Sequence, residues 1–290
     1  MFLRRVLIAR VACCAVALAL TAAQPRPAID VDVKARAIQP GELIVLTVTT
    51  QTPVADLRVR AFDRELPSFQ TTPTRWRALV GIDLETPPGR HDVTITAGTT
   101  PPSQVTHRLT VTPKKFRTRE LTVDPAFVDP PADTLVRITE EAERITRVWA
   151  SPVVVPLWSG QFVRPVAEPS NSAFGSRSVY NGQARSPHGG ADFASPAGTP
   201  VRSANAGRVA LAGDLYFTGN TVIIDHGGGL FSFFAHLRTI AVRESDLVTT
   251  GALIGEVGAT GRVTGAHLHW AIRANDARVD PMSLLAVLGD

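Results

Sequence analysis

Short runs of Val, Ile, Thr and Leu, cut by proline and glycine at fairly regular intervals, constrain this chain more than any other feature. Between about residues 28 and 113 the runs are Val31 to Val33, Leu43 to Val48, Leu57 to Ala61, Trp76 to Ile82, His91 to Ala97 and Val105 to Val111. Pro40-Gly41, Pro53, Pro67, Pro87-Pro88-Gly89 and Pro101-Pro102 punctuate them. Six or seven short strands with turns between them imply a β-sandwich of immunoglobulin-like size. No cysteine pair is available to pin two sheets, so the likeness is one of architecture. His91 and His107 have no metal-type neighbour at short spacing and read as solvated strand or edge residues.

The pattern changes from about 114 to 164, a linker built around one helix. Leu135, Ile138, Ala142, Ile145 and Trp149 recur at steps of three and four, one stripe of a helix over Asp133 to Trp149. Asp133 is the expected N-cap, and Glu140 with Arg144 and Glu143 with Arg147 are i,i+4 pairs in the favourable order. A connector packed on a domain surface accounts for it. Beyond about 165 the chain returns to strands and glycine turns: Thr199 to Val201, Arg208 to Leu211, Thr221 to Asp225, Gly229 to Phe234, Ala252 to Val257 and Leu268 to Ile272. A second, mostly antiparallel β domain follows, with one short helical stretch at Pro281 to Leu288.

The first 23 residues are expected to be a secretory signal peptide. Arg4, Arg5 and Arg10 precede an apolar run from Val11 to Leu20, and Thr21-Ala22-Ala23 is a small-residue cleavage site. The run is too short to anchor the mature protein in a membrane. Losing three arginines and no acid lowers the formal charge from +4 to +1, which removes any case for nucleic acid. Cys13 and Cys14 leave with the segment and lack a lipidation context. A mature chain without thiols suits an oxidising exported compartment and excludes a cysteine nucleophile.

Five of the seven histidines fall between 188 and 269. They occur as His188-Gly-Gly-Ala-Asp192, Asp225-His226-Gly, Phe234-Ala-His236-Leu and Gly265-Ala-His267-Leu-His269. A catalytic zinc needs three His, Asp or Glu ligands and one open position. His188 and Asp192 would lie about 13 Å apart on a straight strand, so the chain must bend at Gly189-Gly190 for both to reach one ion. His267 and His269 share a face of a strand. Both could reach one metal, or one could bind it while the other faces substrate. His226 lines the cleft or braces a turn, with the structural role slightly favoured.

These motifs resemble the lysostaphin/LytM-type zinc endopeptidases in order and interval across about 165 to 285, with Gly251 to Gly255 and Asp280-Pro281 as further landmarks. Phe233-Phe234 stands where the family often has a tyrosine before Ala-His-Leu, and Trp270 replaces a commoner Phe; neither is expected to touch a ligand. The segment before it, with Ala78 to Asp83 and Pro88-Gly89, resembles less specifically the β-sandwich found ahead of this domain in exported members. The resemblance implies a mainly β protein, with a C-terminal antiparallel β-sheet metallopeptidase domain of the LytM/duplicated-hybrid-motif type at 165–285. An immunoglobulin-like sandwich at 28–113 and a single connector helix precede it. It also implies one Zn2+ per chain on His188, Asp192 and His269, and catalysis by His236 and His267. Its implied substrates are the peptide stems of bacterial peptidoglycan, met in the periplasm or at the cell wall. Two other readings stand beside this one. The first is a catalytically silent relative that binds the wall or activates another hydrolase, and the second is a scaffold whose sandwich does the main work. Silent relatives lose ligands or paired histidines, whereas this chain keeps all five site residues.

Overall fold

The computed structural model describes residues 28–98, 101–122, 130–171, 174–184 and 186–289. The expected signal peptide at 1–23 lies outside them. No helix among the described residues is long and apolar enough to cross a membrane.

The N-terminal unit comprises β1 (Ile29–Ala35), β2 (Leu43–Thr50), β3 (Leu57–Ala61), β4 (Arg64–Leu66), β5 (Ser68–Thr72), β6 (Arg75–Gly81), β7 (Gly89–Ala97) and β8 (Ser103–Val111). They form two four-stranded antiparallel sheets, β1-β2-β6-β5 and β4-β3-β7-β8. Ile44, Leu46, Val59, Val80, Ile95 and Leu109 fill the space between them. The expected runs all fall on strands. His91 and His107 sit on β7 and β8 as partly exposed residues, and His91 Nε2 lies 2.9 Å from Pro87 O.

Strand β2 does not alternate apolar with polar, and its packing explains why. Ile44, Leu46 and Val48 point into the sandwich, while Leu43 and Val45 join Leu79 of β6 in the core of the C-terminal unit. A strand covered on both faces requires a continuous apolar run. Leu43 N donates to Ser283 Oγ at 2.9 Å, and Asn275 Nδ2 donates to Leu79 O at 2.7 Å, so backbone groups along the seam are satisfied.

The linker holds β9 (Thr118–Leu121), a 3₁₀ turn at Ala132–Thr134 and α1 (Leu135–Ala150). The helix begins later than the sequence suggests. Asp133 lies in the 3₁₀ turn, and the N-cap is Thr134, whose hydroxyl donates to Pro131 O instead of capping. The apolar stripe is also offset: Leu135 is 49% exposed, whereas Ile145, Val148 and Trp149 are packed. Arg147 reaches Glu143 as expected, at 3.7 Å, but Arg144 pairs with Glu244 across the domain.

The C-terminal unit contains β10 (Arg177–Tyr180), β11 (Gln183–Ala184), β12 (Gly190–Phe193), β13 (Pro200–Arg202), β14 (Gly207–Leu215) and β15 (Gly219–Gly227). After these come β16 (Leu230–Ile240), β17 (Leu247–Val248), β18 (Leu253–Val257), β19 (Leu268–Ala274), β20 (Ala277–Val279) and α2 (Pro281–Leu288). Nine strands make one antiparallel sheet with the central order β12-β19-β16-β15-β14-β17. A separate sheet, β11-β10-β9, ties the linker to this unit through the parallel pair β9 and β10. One face of the large sheet carries Phe234, Trp270 and Ile272 into the core. The opposite face carries Asp192, Phe233 and His269, and α1 packs on that face through Trp149 against Phe231 and Phe233. Asp280 caps α2, accepting from Met282 N at 2.9 Å, with Pro281 at the first helical position.

Candidate metal centre

Three side chains converge at the end of β12 and β19. The register pairs Asp192 with His269, so both project from one face of adjacent strands. His188 comes from the bend just before β12, and its backbone N–H donates to Ser176 O at 2.9 Å. The bend does what the glycine spacing requires. Gly190 also has a steric role: a Cβ there would lie 2.8 Å from the His269 ring and 2.6 Å from Trp270 O. A side chain at 190 would push the imidazole off its position.

Asp192 Oδ1 is the hub. It lies 3.0 Å from His188 Nε2 and 3.0 Å from His269 Nδ1, and the three ligand-type atoms all fall within 4.8 Å of one another. Tetrahedral zinc with bonds near 2.0–2.2 Å requires donor separations of roughly 3.3 Å. The donor types and their spacing therefore fit a zinc ion. Burial would raise the Asp192 pKa, but the hydrogen bonds with His188 and His269 override it and hold the carboxyl far below the usual carboxylate range. Burial lowers the pKa of His269, favouring the neutral imidazole that a metal requires.

His236 and His267 stand beside this group with ring centroids 4.9 Å apart, and His236 lies 6.0 Å from His269. His236 has φ 63°, an uncommon conformation for a side chain of its size. Two carbonyls fix it: the backbone N–H donates to Thr218 O and the ring Nδ1–H to Thr260 O, both at 2.9 Å. With Nδ1 committed as donor, Nε2 keeps its lone pair for the centre. Burial, and then the neighbouring histidines, push its pKa down to about 3, so the ring is neutral at physiological pH. His267 is held the same way, Nδ1 donating to Gly265 O at 2.9 Å, with Nε2 3.8 Å from Asp192 Oδ1.

His226 takes no part in the centre. It is buried, donates from Nδ1 to Ala206 O, accepts at Nε2 from Ser232 Oγ, both at 2.8 Å, and packs edge-on against Phe162. Burial lowers its pKa to about 4, as expected of a neutral structural imidazole. Phe233 departs from its expectation. Its ring meets His269 edge-on with centroids 6.3 Å apart, so it helps fix a member of the triad. Sequence reasoning assigned no role to Thr218 or to the Thr260 carbonyl. Both act through the backbone, which leaves no trace in residue type.

A histidine–aspartate–histidine centre with two flanking imidazoles, on one face of an antiparallel sheet, defines a protein of the metallopeptidase class. Residues 186–281 match the model of peptidase family M23. A solved chain from Pseudomonas aeruginosa described as an M23 peptidase is 32% identical, covers 88% of this chain and 97% of that one, and superposes with a TM-score of 0.68. The chain belongs to peptidase family M23. Among curated relatives, the DD-carboxypeptidase/endopeptidase Mpg of Neisseria meningitidis is 42% identical over 97 residues. The peptidoglycan DD-endopeptidase ShyA of Vibrio cholerae is 41% identical over 96 residues. Each match spans 33% of this chain and 22% of the relative's own length.

Proposed function

We propose that this chain is an exported zinc metalloendopeptidase that hydrolyses peptide cross-links of bacterial peptidoglycan. The observation that carries the reading is the convergence of His188, Asp192 and His269 within 4.8 Å, with the imidazoles of His236 and His267 beside them. The peptidoglycan endopeptidase relatives supply the substrate class. On this reading His188 Nε2, Asp192 Oδ1 and His269 Nδ1 hold the ion. Zinc supplies Lewis acidity toward a carbonyl and lowers the pKa of water. His236 Nε2, neutral and unshielded by its Thr260 bond, accepts a proton from the attacking water. His267 Nε2, 3.8 Å from Asp192 Oδ1, stands beside the same centre and stabilises the oxyanion that develops on the scissile carbonyl. Phe233 and Gly190 hold His269 in register.

Zinc-loaded protein incubated with purified sacculi should release peptides whose masses report cleavage of a cross-link by addition of one water. His269→Ala should lose metal and turnover together. Full zinc occupancy in that variant would show that His269 is not a ligand. Intact cross-links after treatment with zinc-loaded wild type would favour the silent, activator-type reading.

A further inference from the structure

A cavity of about 720 Å³ opens at the seam between the two units. That is the size of a small-ligand pocket. Its charged lining is lopsided: Arg36, Lys114, Lys115 and Arg117 face a single carboxylate, Asp280. Asp280 is already taken by Arg36 at 2.7 Å, and Lys114 bonds buried Glu42 at 3.1 Å. Among the described residues, Lys115 and Arg117 have no acidic partner, and both are exposed. Phe116 and Phe174 meet edge-on along the same wall with centroids 6.3 Å apart.

Ser176 adds an independent sign of a ligand. It lines the cavity and is 6% exposed, yet its hydroxyl has no hydrogen-bond partner. Buried hydroxyls are normally satisfied, and an orphan beside a cationic cavity is set to donate to an anion. The cavity also adjoins the metal centre through the backbone. Ser176 O accepts from His188 N at 2.9 Å, and Asn171 N, on the same lining, donates to Asp192 O at 2.9 Å.

We propose that the seam cavity binds a carboxylate of the substrate peptide, with Lys115, Arg117 and the Ser176 hydroxyl as its partners. The cations draw the anion in, and the two phenylalanines accept the aliphatic stem that carries it. The proposal rests on the endopeptidase reading for the identity of the peptide. It gives the linker a part in recognition, since Lys115 and Arg117 lie between β8 and β9.

The test uses full-length, zinc-loaded protein carrying His267→Ala, so that peptide is not consumed, with and without Lys115→Gln/Arg117→Gln. Calorimetry compares cross-linked peptide dimers from sacculi with the same dimers after conversion of their carboxylates to amides. The free acids should bind on the order of tenfold more tightly than the amides, and the double substitution should erase the difference. Equal affinity for acid and amide, no measurable binding of the acid at millimolar concentration, or a preference that survives the double substitution would each overturn the proposal. Because both side chains are exposed, melting temperature and zinc content should not move. Turnover of sacculi by wild type separates the two claims. Turnover without acid preference defeats the cavity alone, and acid preference without turnover defeats the endopeptidase reading alone.

Discussion

Gly190 shows how one residue sets the centre. The His269 ring occupies the space a Cβ would fill, at 2.8 Å, and the backbone carbonyl of Trp270 closes the other side at 2.6 Å. Gly190→Ala must therefore displace either the ring or strand β19. The variant should fold but bind zinc at least tenfold more weakly, as judged by competition with a chelator, because a misplaced ligand loses the distances that zinc requires. Wild-type zinc affinity would show that the sheet yields more easily than the contact implies. The sequence made this triad legible, because His188 and Asp192 beside two glycines, and His267 with His269, are ligand types at short spacing. It left open which member of the His-x-His pair faces Asp192. The strand register answers that geometrically by placing His269 directly across from Asp192. The left-handed setting of His236 was not legible, since carbonyls of Thr218 and Thr260 impose it from remote positions.

At the scale of elements, α1 was legible as a helix but not as to where it docks. Its period marked a buried stripe, yet which sheet face receives it depends on contacts made by Phe231 and Phe233, about eighty residues away. Trp149 meets Phe231 at 5.1 Å between centroids and stacks beneath the Arg273 guanidinium at 5.4 Å. Glu141 Oε2 accepts from Tyr216 N at 2.7 Å and Arg137 pairs with Asp214 at 2.8 Å, so the helix also braces the β14–β15 hairpin. That hairpin supplies the Thr218 carbonyl that holds His236. Trp149→Ala should cost about 2 kcal/mol in chemical denaturation, less than a fully buried aromatic because the ring is partly exposed. A change below about 0.5 kcal/mol, the scale of an ordinary surface substitution, would mean that α1 is not docked in solution. Strand β12 escaped the sequence reading altogether. Gly190 and Ala191 carry little β propensity, and pairing with β19 is what makes the segment a strand.

For the whole molecule, we propose the division into 28–113, 114–164 and 165–285, with the two β units sharing a core rather than merely touching. Leu43, Val45 and Leu79 pack with Trp270, Ile272 and Leu284, and charged groups rim that seam. Arg278 holds Asp83 at 2.7 Å, and Arg36 holds both Glu42 and Asp280 at 2.7 Å. Burial raises the pKa values of Asp83 and Glu42, but their hydrogen bonds to Arg278 and Arg36 outweigh it and depress both. Their contribution is present above the unfolded carboxylate range and lost as pH falls through the folded values. His226 acts earlier, because its unfolded pKa is 6.5 and its folded one about 4. Unfolded chain takes up that proton first, so stability should fall from pH 6.5 toward 4, by on the order of 3 kcal/mol for this group alone. Melting of metal-free protein should show that slope on top of the one buried His236 adds over the same range, and His226→Gln should make it shallower. Identical slopes in the two proteins would show that His226 is not the source.

The proposed mechanism divides the labour: three residues hold zinc, and His236 and His267 perform the proton and charge chemistry. It is tested most directly by measuring zinc content and cross-link hydrolysis in the same samples of His236→Ala and His267→Ala. Each variant should retain one zinc per chain while its turnover falls roughly 10²–10⁴-fold, the scale of a lost acid–base or oxyanion group. Loss of zinc from either variant, or turnover near that of wild type with zinc retained, would contradict the claim for that residue.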